Sequence, residues 1–252
     1  MINFFRKIRQ QLLSENKTGK YLTYAIGEIV LVVIGILIAL QINAWAIEQD
    51  NHTLEKIYLE ALRVEIMEDI QFYTGVSDSL KNQETSALHI LHFIEYPKAE
   101  IKDSLQFINA FRQCAEGENL TRTEVTWNEL QSTGRMSLIR NKKLTGLLFE
   151  YYADLDHFAS DFNRFPMEQR LLVRKFEHNF FTPEEHLDFF SNWSQKRVPR
   201  KAVFIDIRNT PTLYDLVKSV MVSSLVQKEI TQKVLIKANY LQDAITQELA
   251  VF

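Results

Sequence analysis

From Ala25 to Ala39 the chain reads AIGEIVLVVIGILIA, with Glu28 its one charged residue, and Leu40 and Ile42 carry the apolar run on towards Trp45. At ~1.5 Å per residue, roughly 20 residues cover the ~30 Å hydrocarbon core of a bilayer. Tyr21 and Tyr24 stand before the run and Trp45 after it, which places an aromatic anchor at each interface. The pattern predicts a transmembrane helix over 21–46. Ala44-Trp45-Ala46 offers a rival signal-cleavage site. The apolar run, however, exceeds the ~7–15 residues of a signal-peptide core, and its polar lead-in is long, so an uncleaved anchor is expected.

Beyond Trp45 no proline occurs until Pro97, and Leu54, Ile57, Ala61, Val64, Ile66, Ile70 and Tyr73 keep an approximately helical period. One helix is expected to run out of the membrane to about Tyr73. A second is expected over 77–95, ending before Pro97, and a third over 101–114. Trp127, Leu130 and Gln131 suit a short helix stopped at Thr133-Gly134. Met136, Leu138 and Ile139 form a buried turn, and Asn141 is an N-cap for a helix through Leu144, Leu148 and Tyr151. Thr182-Pro183-Glu184-Glu185 reads as another helix start, and so does Thr210-Pro211. From there to about Leu249 no proline or glycine intervenes, so a long last helix can lie antiparallel to the first exported one. Only VPRKAVFIDIR, residues 198–208, has a serious strand alternative. The expected fold is all-α, a transmembrane helix followed over 47–252 by a helical bundle with long first and last helices.

Charge sets the orientation. Arg6, Lys7, Arg9, Lys17 and Lys20 precede the apolar run, opposed only by Glu15. Glu48, Asp50, Glu55 and Glu60 follow it, with Lys56 and Arg63 the nearby positives. The positive-inside rule puts the N-terminus in the cytoplasm and the C-terminal domain outside. Within residues 1–20, Ile2, Phe5, Ile8 and Leu12 share helical spacing with the basic residues between them. Over residues 1–13 that pattern suits a short helix in the inner-leaflet headgroups, the alternative being an ordinary basic flank, and Arg6, Lys7, Arg9, Lys17 and Lys20 are the expected inner-leaflet contacts. The net charge of −3 gives no reason to expect nucleic acid.

An ionisable residue inside a span points by default to function. Ala25, Glu28, Val32, Gly35, Ala39 and Ile42 recur at spacings of three and four and form one stripe, within which Gly35-x-x-x-Ala39 lets helices approach closely. A helix–helix interface along this stripe is expected. The bland alternative has Glu28 one turn inside the inner interface, reaching the headgroups.

Catalytic motifs are lacking. His89-x-x-His92 puts two imidazoles one turn apart without the further ligands zinc needs, and Glu184-Glu185-His186 is accounted for by capping. There is no phosphate loop, nucleophile elbow or hydrolase signature, and no cofactor or metal is expected. Cys114, the one cysteine, excludes an internal disulfide and reads as a buried thiol. The aromatics between Phe158 and Trp193 read mostly as core, with an exposed subset able to line a groove.

YAIGEIVLVVIGILIALQINAW, after its short basic lead-in, resembles the first block of a functionally uncharacterised family of small single-pass inner-membrane proteins from Bacteroidetes-type bacteria. ELQSTGRMSLIRNKKL, followed by the Tyr151-Tyr152 pair, resembles that family's second block. At Asn43-Ala44-Trp45-Ala46 the chain departs from the family's usual Asn-Asn-Trp-Asn. The resemblance implies a bacterial inner membrane and a periplasmic domain, and no activity. The expectation is therefore a membrane-anchored interaction or sensory module, partnered by the bilayer and by copies of itself or another membrane protein. The alternatives are an accessory subunit of a transport, secretion or motility complex, and an enzyme with an unrecognised site.

Overall fold

The structure is a computed structural model that describes residues 18–102, 104–117, 120, 124–165, 167–182 and 201–252. Its elements are α1 (Thr18–Glu95), α2 (Ser104–Ala115), α3 (Val125–Ser132), a 3-10 turn (Arg135–Leu138), α4 (Lys142–Asn163), α5 (Met167–Phe180), α6 (Lys201–Arg208) and α7 (Pro211–Leu249). All regular structure among the described residues is helical. The chain divides into two compact units, Met1–Ile57 and Tyr58–Phe252.

The break expected between Tyr73 and Ser77 does not occur, and α1 runs through it. Tyr73 and Val76 are both buried, one on each side of Gly75. Burial of these two side chains outweighs the roughly 1 kcal/mol that a mid-helix glycine costs. Downstream the local signals decide as expected. Gly134 takes φ 69 between α3 and the 3-10 turn, a conformation open to glycine. The Asn141 side chain accepts from the backbone N–H groups of Lys143 and Leu144 and starts α4. Met136 and Leu138 are half-buried and Ile139 is fully buried.

Residues 201–208 are helical, not extended, and Ile207 is fully buried while Ile205 is exposed. A strand would need a neighbouring strand to pair its backbone groups, and none is present among the described residues. Thr210 does not cap α7 with its side chain. Its hydroxyl donates instead to the Asp206 carbonyl at 2.7 Å, and Pro211 opens the helix. The expected start at Thr182–Glu185 lies outside the described residues from 183 onwards.

In the unit Tyr58–Phe252, α1 and α7 run antiparallel. Gln83 accepts from Ser224 and Glu84 pairs with Lys228, while Glu95, further along α1, accepts from Tyr214, earlier in α7. Two apolar clusters fill the space between the helices. One joins Tyr58, Leu59, Leu62 and Ile66 of α1 to Leu148 and Leu155 of α4 and Leu241 and Ile245 of α7. The other joins Ile90 and Phe93 of α1 to Phe107 and Phe111 of α2, Val173 and Phe180 of α5, and Val217 and Val220 of α7. At the far end Arg208 closes α1. Its guanidinium lies 4.1 Å from the Phe93 ring centre and donates to the carbonyls of Phe93, Tyr96 and Ala99.

Candidate functional site

In the first unit the apolar run forms part of α1, which is long and apolar enough to cross a membrane by length and composition. Fifteen large apolar side chains between Leu22 and Ile47 are each 47–69% exposed. At about 1.5–3 kcal/mol for burying one such side chain fully, leaving them about half exposed to water costs on the order of 10–20 kcal/mol. That exceeds or matches the whole stability of a typical domain, about 5–15 kcal/mol. Water is not the surroundings this surface is built for.

Ala25, Glu28, Val32, Gly35, Ala39 and Ile42 fall on one face of α1, at the spacing read from the sequence. Ala25 and Glu28 are half-buried and the other four exposed. A Cβ built at Gly35 meets nothing within 4 Å, so the chain's own packing does not require glycine there. Trp45 is exposed at the end of the run, and Lys20, Tyr21 and Tyr24 lie in the first turns of α1. Arg6, Lys7, Arg9 and Lys17 lie outside the described residues.

The second unit holds buried polar residues that periodicity alone does not reveal. Glu65 accepts from the Tyr152 hydroxyl at 2.6 Å and from the backbone N–H of Thr126 at 2.8 Å, so a carboxylate of α1 caps α3. One turn on, Asp69 accepts from Tyr151 at 2.8 Å, and the Tyr152 ring stacks on Trp127 at 4.2 Å. Neighbouring tyrosines of α4 thus fix its register on two acids of α1. Burial first, and then the Glu65 bond, push the Tyr152 hydroxyl up.

A second polar layer separates the two apolar clusters. Arg170, 2% exposed, donates to Gln83 and Gln227, and Ser224 also donates to Gln83. Gln227 donates to the Phe162 carbonyl at 2.9 Å and Gln83 to the Glu116 carbonyl at 2.6 Å. Two turns along α5 from Arg170, Glu177 is buried and its carboxyl is pushed up to about 7, chiefly by burial. Part of this layer, though not Arg170, was signalled in the sequence. Gln83 interrupts the inward stripe of α1 between Leu80 and Ala87, and Ser224, Gln227 and Thr231 interrupt that of α7 between Val220 and Val234.

The remaining expected groups serve packing. His89 meets the Phe107 ring edge-on at 5.3 Å, and burial followed by the nearby His92 lowers its pKa. Cys114 is fully buried and its thiol is pushed up by burial and then by Glu177. Among the described residues no group of three or more histidines, cysteines or acids is placed to hold a metal ion. Of the aromatics, Phe162, Phe180 and Phe181 are buried and Phe158, Phe165 and Phe176 half-buried. Phe189, Phe190, Trp193 and the Glu184–His186 group lie outside the described residues. A groove of about 310 Å³ between α4 and α7 carries charges of both signs, from Lys143, Asp243 and Glu248.

No curated protein and no solved structure matches the chain. A family model does, and its span begins at Glu28 in the apolar run, takes in Glu65, Asp69, Gln83 and Trp127, and ends in the 3-10 turn. The resemblance to an uncharacterised family thus has a counterpart covering most of α1 together with α2 and α3: over residues 28–137 the chain is similar to the family described as "Family of unknown function (DUF6090)".

Proposed function

We propose that the chain is a membrane-anchored helical interaction or sensory module that self-associates. Residues 21–46 cross the bacterial inner membrane, the basic N-terminal segment stays in the cytoplasm, and the unit Tyr58–Phe252 works in the periplasm. The observation that carries this reading is the exposure of fifteen large apolar side chains from Leu22 to Ile47. The charge asymmetry around the run supports the orientation. The small-residue face, where Gly35 has open space around it, supports association between copies. The buried acids Glu65 and Asp69 are engaged by tyrosines and a helix N-terminus, which favours structural roles for them over catalytic ones.

Alkaline extraction of native membranes should leave the chain in the membrane fraction, and its release would overturn the anchor. Mild solubilisation, native mass measurement and identification of co-purifying proteins then test association, using wild type beside Glu28→Ala and Gly35→Leu. Oligomers of this chain alone, falling to monomer in Gly35→Leu, are expected. Co-purification of other membrane proteins that the substitutions release would instead assign it as a subunit of a larger complex. A wild-type monomer without partners would sink both readings of the stripe.

A further inference from the structure

The groove between α4 and α7 lies wholly within the unit Tyr58–Phe252 and has two adjoining compartments that share Leu147 and Tyr240. The first, about 310 Å³, has Leu144 and Ala244 as its apolar lining, with Lys143 contributed by α4 and Asp243, Gln247 and Glu248 by α7. The second, about 180 Å³, is lined chiefly by apolar groups, from Tyr151, Ile236 and Leu241, with Glu150 and Lys237 as its charged residues.

Charge in the first compartment is arranged unlike charge elsewhere on α7. Lys228, Lys233 and Lys237 each pair with an acid. Lys143 and Asp243 line one cleft without pairing with each other, and neither pairs with another of the described residues. Glu248 accepts from Asn141 through one carboxylate oxygen, at 2.6 Å, which leaves the second oxygen for another donor. The backbone N–H groups of Lys143 and Leu144 are taken by the Asn141 side chain, so what the cleft offers is side-chain charge rather than a helix terminus. Opposite charges held apart across a cleft suit a molecule that carries both signs, an ammonium for the two acids and a carboxylate for the lysine.

The second compartment asks for the opposite chemistry. Glu150 and Lys237 neutralise one another, and Lys237 is held by Asp154 as well. Ile236 is 70% exposed and Tyr240 55%. Apolar surface gathered in a concavity is stabilised by an apolar group that covers it. Both volumes are small against the ~300–1,000 Å³ of ligand sites, which limits the occupant to a molecule of one or two amino-acid residues.

We propose that this groove binds a small zwitterion with an apolar side chain, an apolar amino acid or a short apolar peptide. Its ammonium lies toward Asp243 and Glu248, its carboxylate toward Lys143, and its side chain against Leu147, Ile236 and Tyr240. The site supplies a ligand class for the sensory reading above and rests on that reading for its role, whereas the binding itself needs no membrane.

The test is equilibrium dialysis of the solubilised full chain against radiolabelled L-leucine, L-phenylalanine and leucyl-leucine, with N-acetyl-leucine amide as the probe that lacks both charges. Saturable binding of a charged probe is expected, and the tighter of leucine and leucyl-leucine distinguishes amino acid from peptide. The blocked probe should bind about ten-fold or more weaker. Asp243→Asn and Lys143→Gln should each weaken the charged probes about ten-fold and leave the blocked one unchanged, as loss of one charge-assisted hydrogen bond predicts. Asp243 and Lys143 are exposed, and an unchanged thermal transition shows that the variants are folded. The comparison of charged with blocked probe needs no variant at all. Absence of saturable binding by every probe overturns the site, as does binding indifferent to blocking or to both substitutions. If no probe binds and Ile236→Arg turns oligomers into monomers, the groove is an interface between copies instead. Failure of binding leaves the alkaline-extraction and native-mass results standing, so it overturns this site without overturning the anchored module.

Discussion

Glu177 shows what burial does to a single group. It is 3% exposed on α5, and the charges acting on it are Arg174 of its own helix and Arg112 and Glu116 from α2 and the residue after it. Both arginines have other work. Arg174 donates to the Ala115 carbonyl at 3.1 Å, and Arg112 pairs with Glu116 at 2.6 Å. α6 and α7 bring Ile207, Leu213 and Val217 to the same cluster. Desolvation outweighs the arginines and lifts the carboxyl from 4.5 to about 7. Because the folded value is the higher one, the group's contribution to stability is complete below about pH 4.5 and is lost as pH rises through 7. Denaturant titrations of wild type and Glu177→Gln from pH 4 to 8 should therefore diverge. The wild type should lose ground to the variant across this window, by at most about 3 kcal/mol. Parallel curves would show that Glu177 titrates as an ordinary surface acid.

At the scale of elements, glycines separate local propensity from tertiary packing. Gly75 in α1 and Gly146 in α4 are exposed helical positions where an added Cβ meets nothing within 4 Å, and only Gly134 has positive φ. Gly75→Ala and Gly146→Ala should each stabilise the folded unit by roughly 0.5–1 kcal/mol, and Gly134→Ala should destabilise it. Chemical denaturation reads all three, and a loss of stability in Gly75→Ala would mean that the helix needs flexibility at that point. The same contrast explains what was legible in the sequence. Gly134, Asn141 and Pro211 act through their own backbone neighbourhood, so the ends they mark were predictable. Gly75 reads like a break only while the burial of Tyr73 and Val76 is unknown. The stripe from Ala25 to Ile42 was legible because helical spacing alone defines it. Glu65, Asp69 and Arg170 were missed because their meaning lies in partners 57–87 residues away, at Gln227, Tyr151 and Tyr152. No local pattern carries that information.

At the scale of the folded unit, the question is whether a core split by a polar layer behaves as one body. Arg170, Gln83, Ser224 and Gln227 bridge α1, α5 and α7 between the two apolar clusters, and such a layer could mark a plane along which halves separate. The continuity of the long helices argues against it. α1 supplies Leu59, Leu62 and Ile66 to one cluster and Ile90 and Phe93 to the other, and α7 supplies Leu241 and Ile245 to one and Val217 and Val220 to the other. To melt one cluster alone, both helices would have to fray at mid-length and strip Arg170 of its hydrogen-bond partners. That would leave a charge in a half-dry site at a cost of several kcal/mol. The unit should accordingly unfold in one transition. Leu148→Ala in the first cluster and Phe107→Ala in the second should each lower that same transition, by about 2–5 and 3–5 kcal/mol. Hydrogen-exchange protection of α1 amides on either side of Gln83 should fall in step in both variants. If Leu148→Ala instead loosened only residues before Gln83, and Phe107→Ala only those after it, the polar layer would be a hinge, and the folded unit two semi-independent halves sharing a pair of helices.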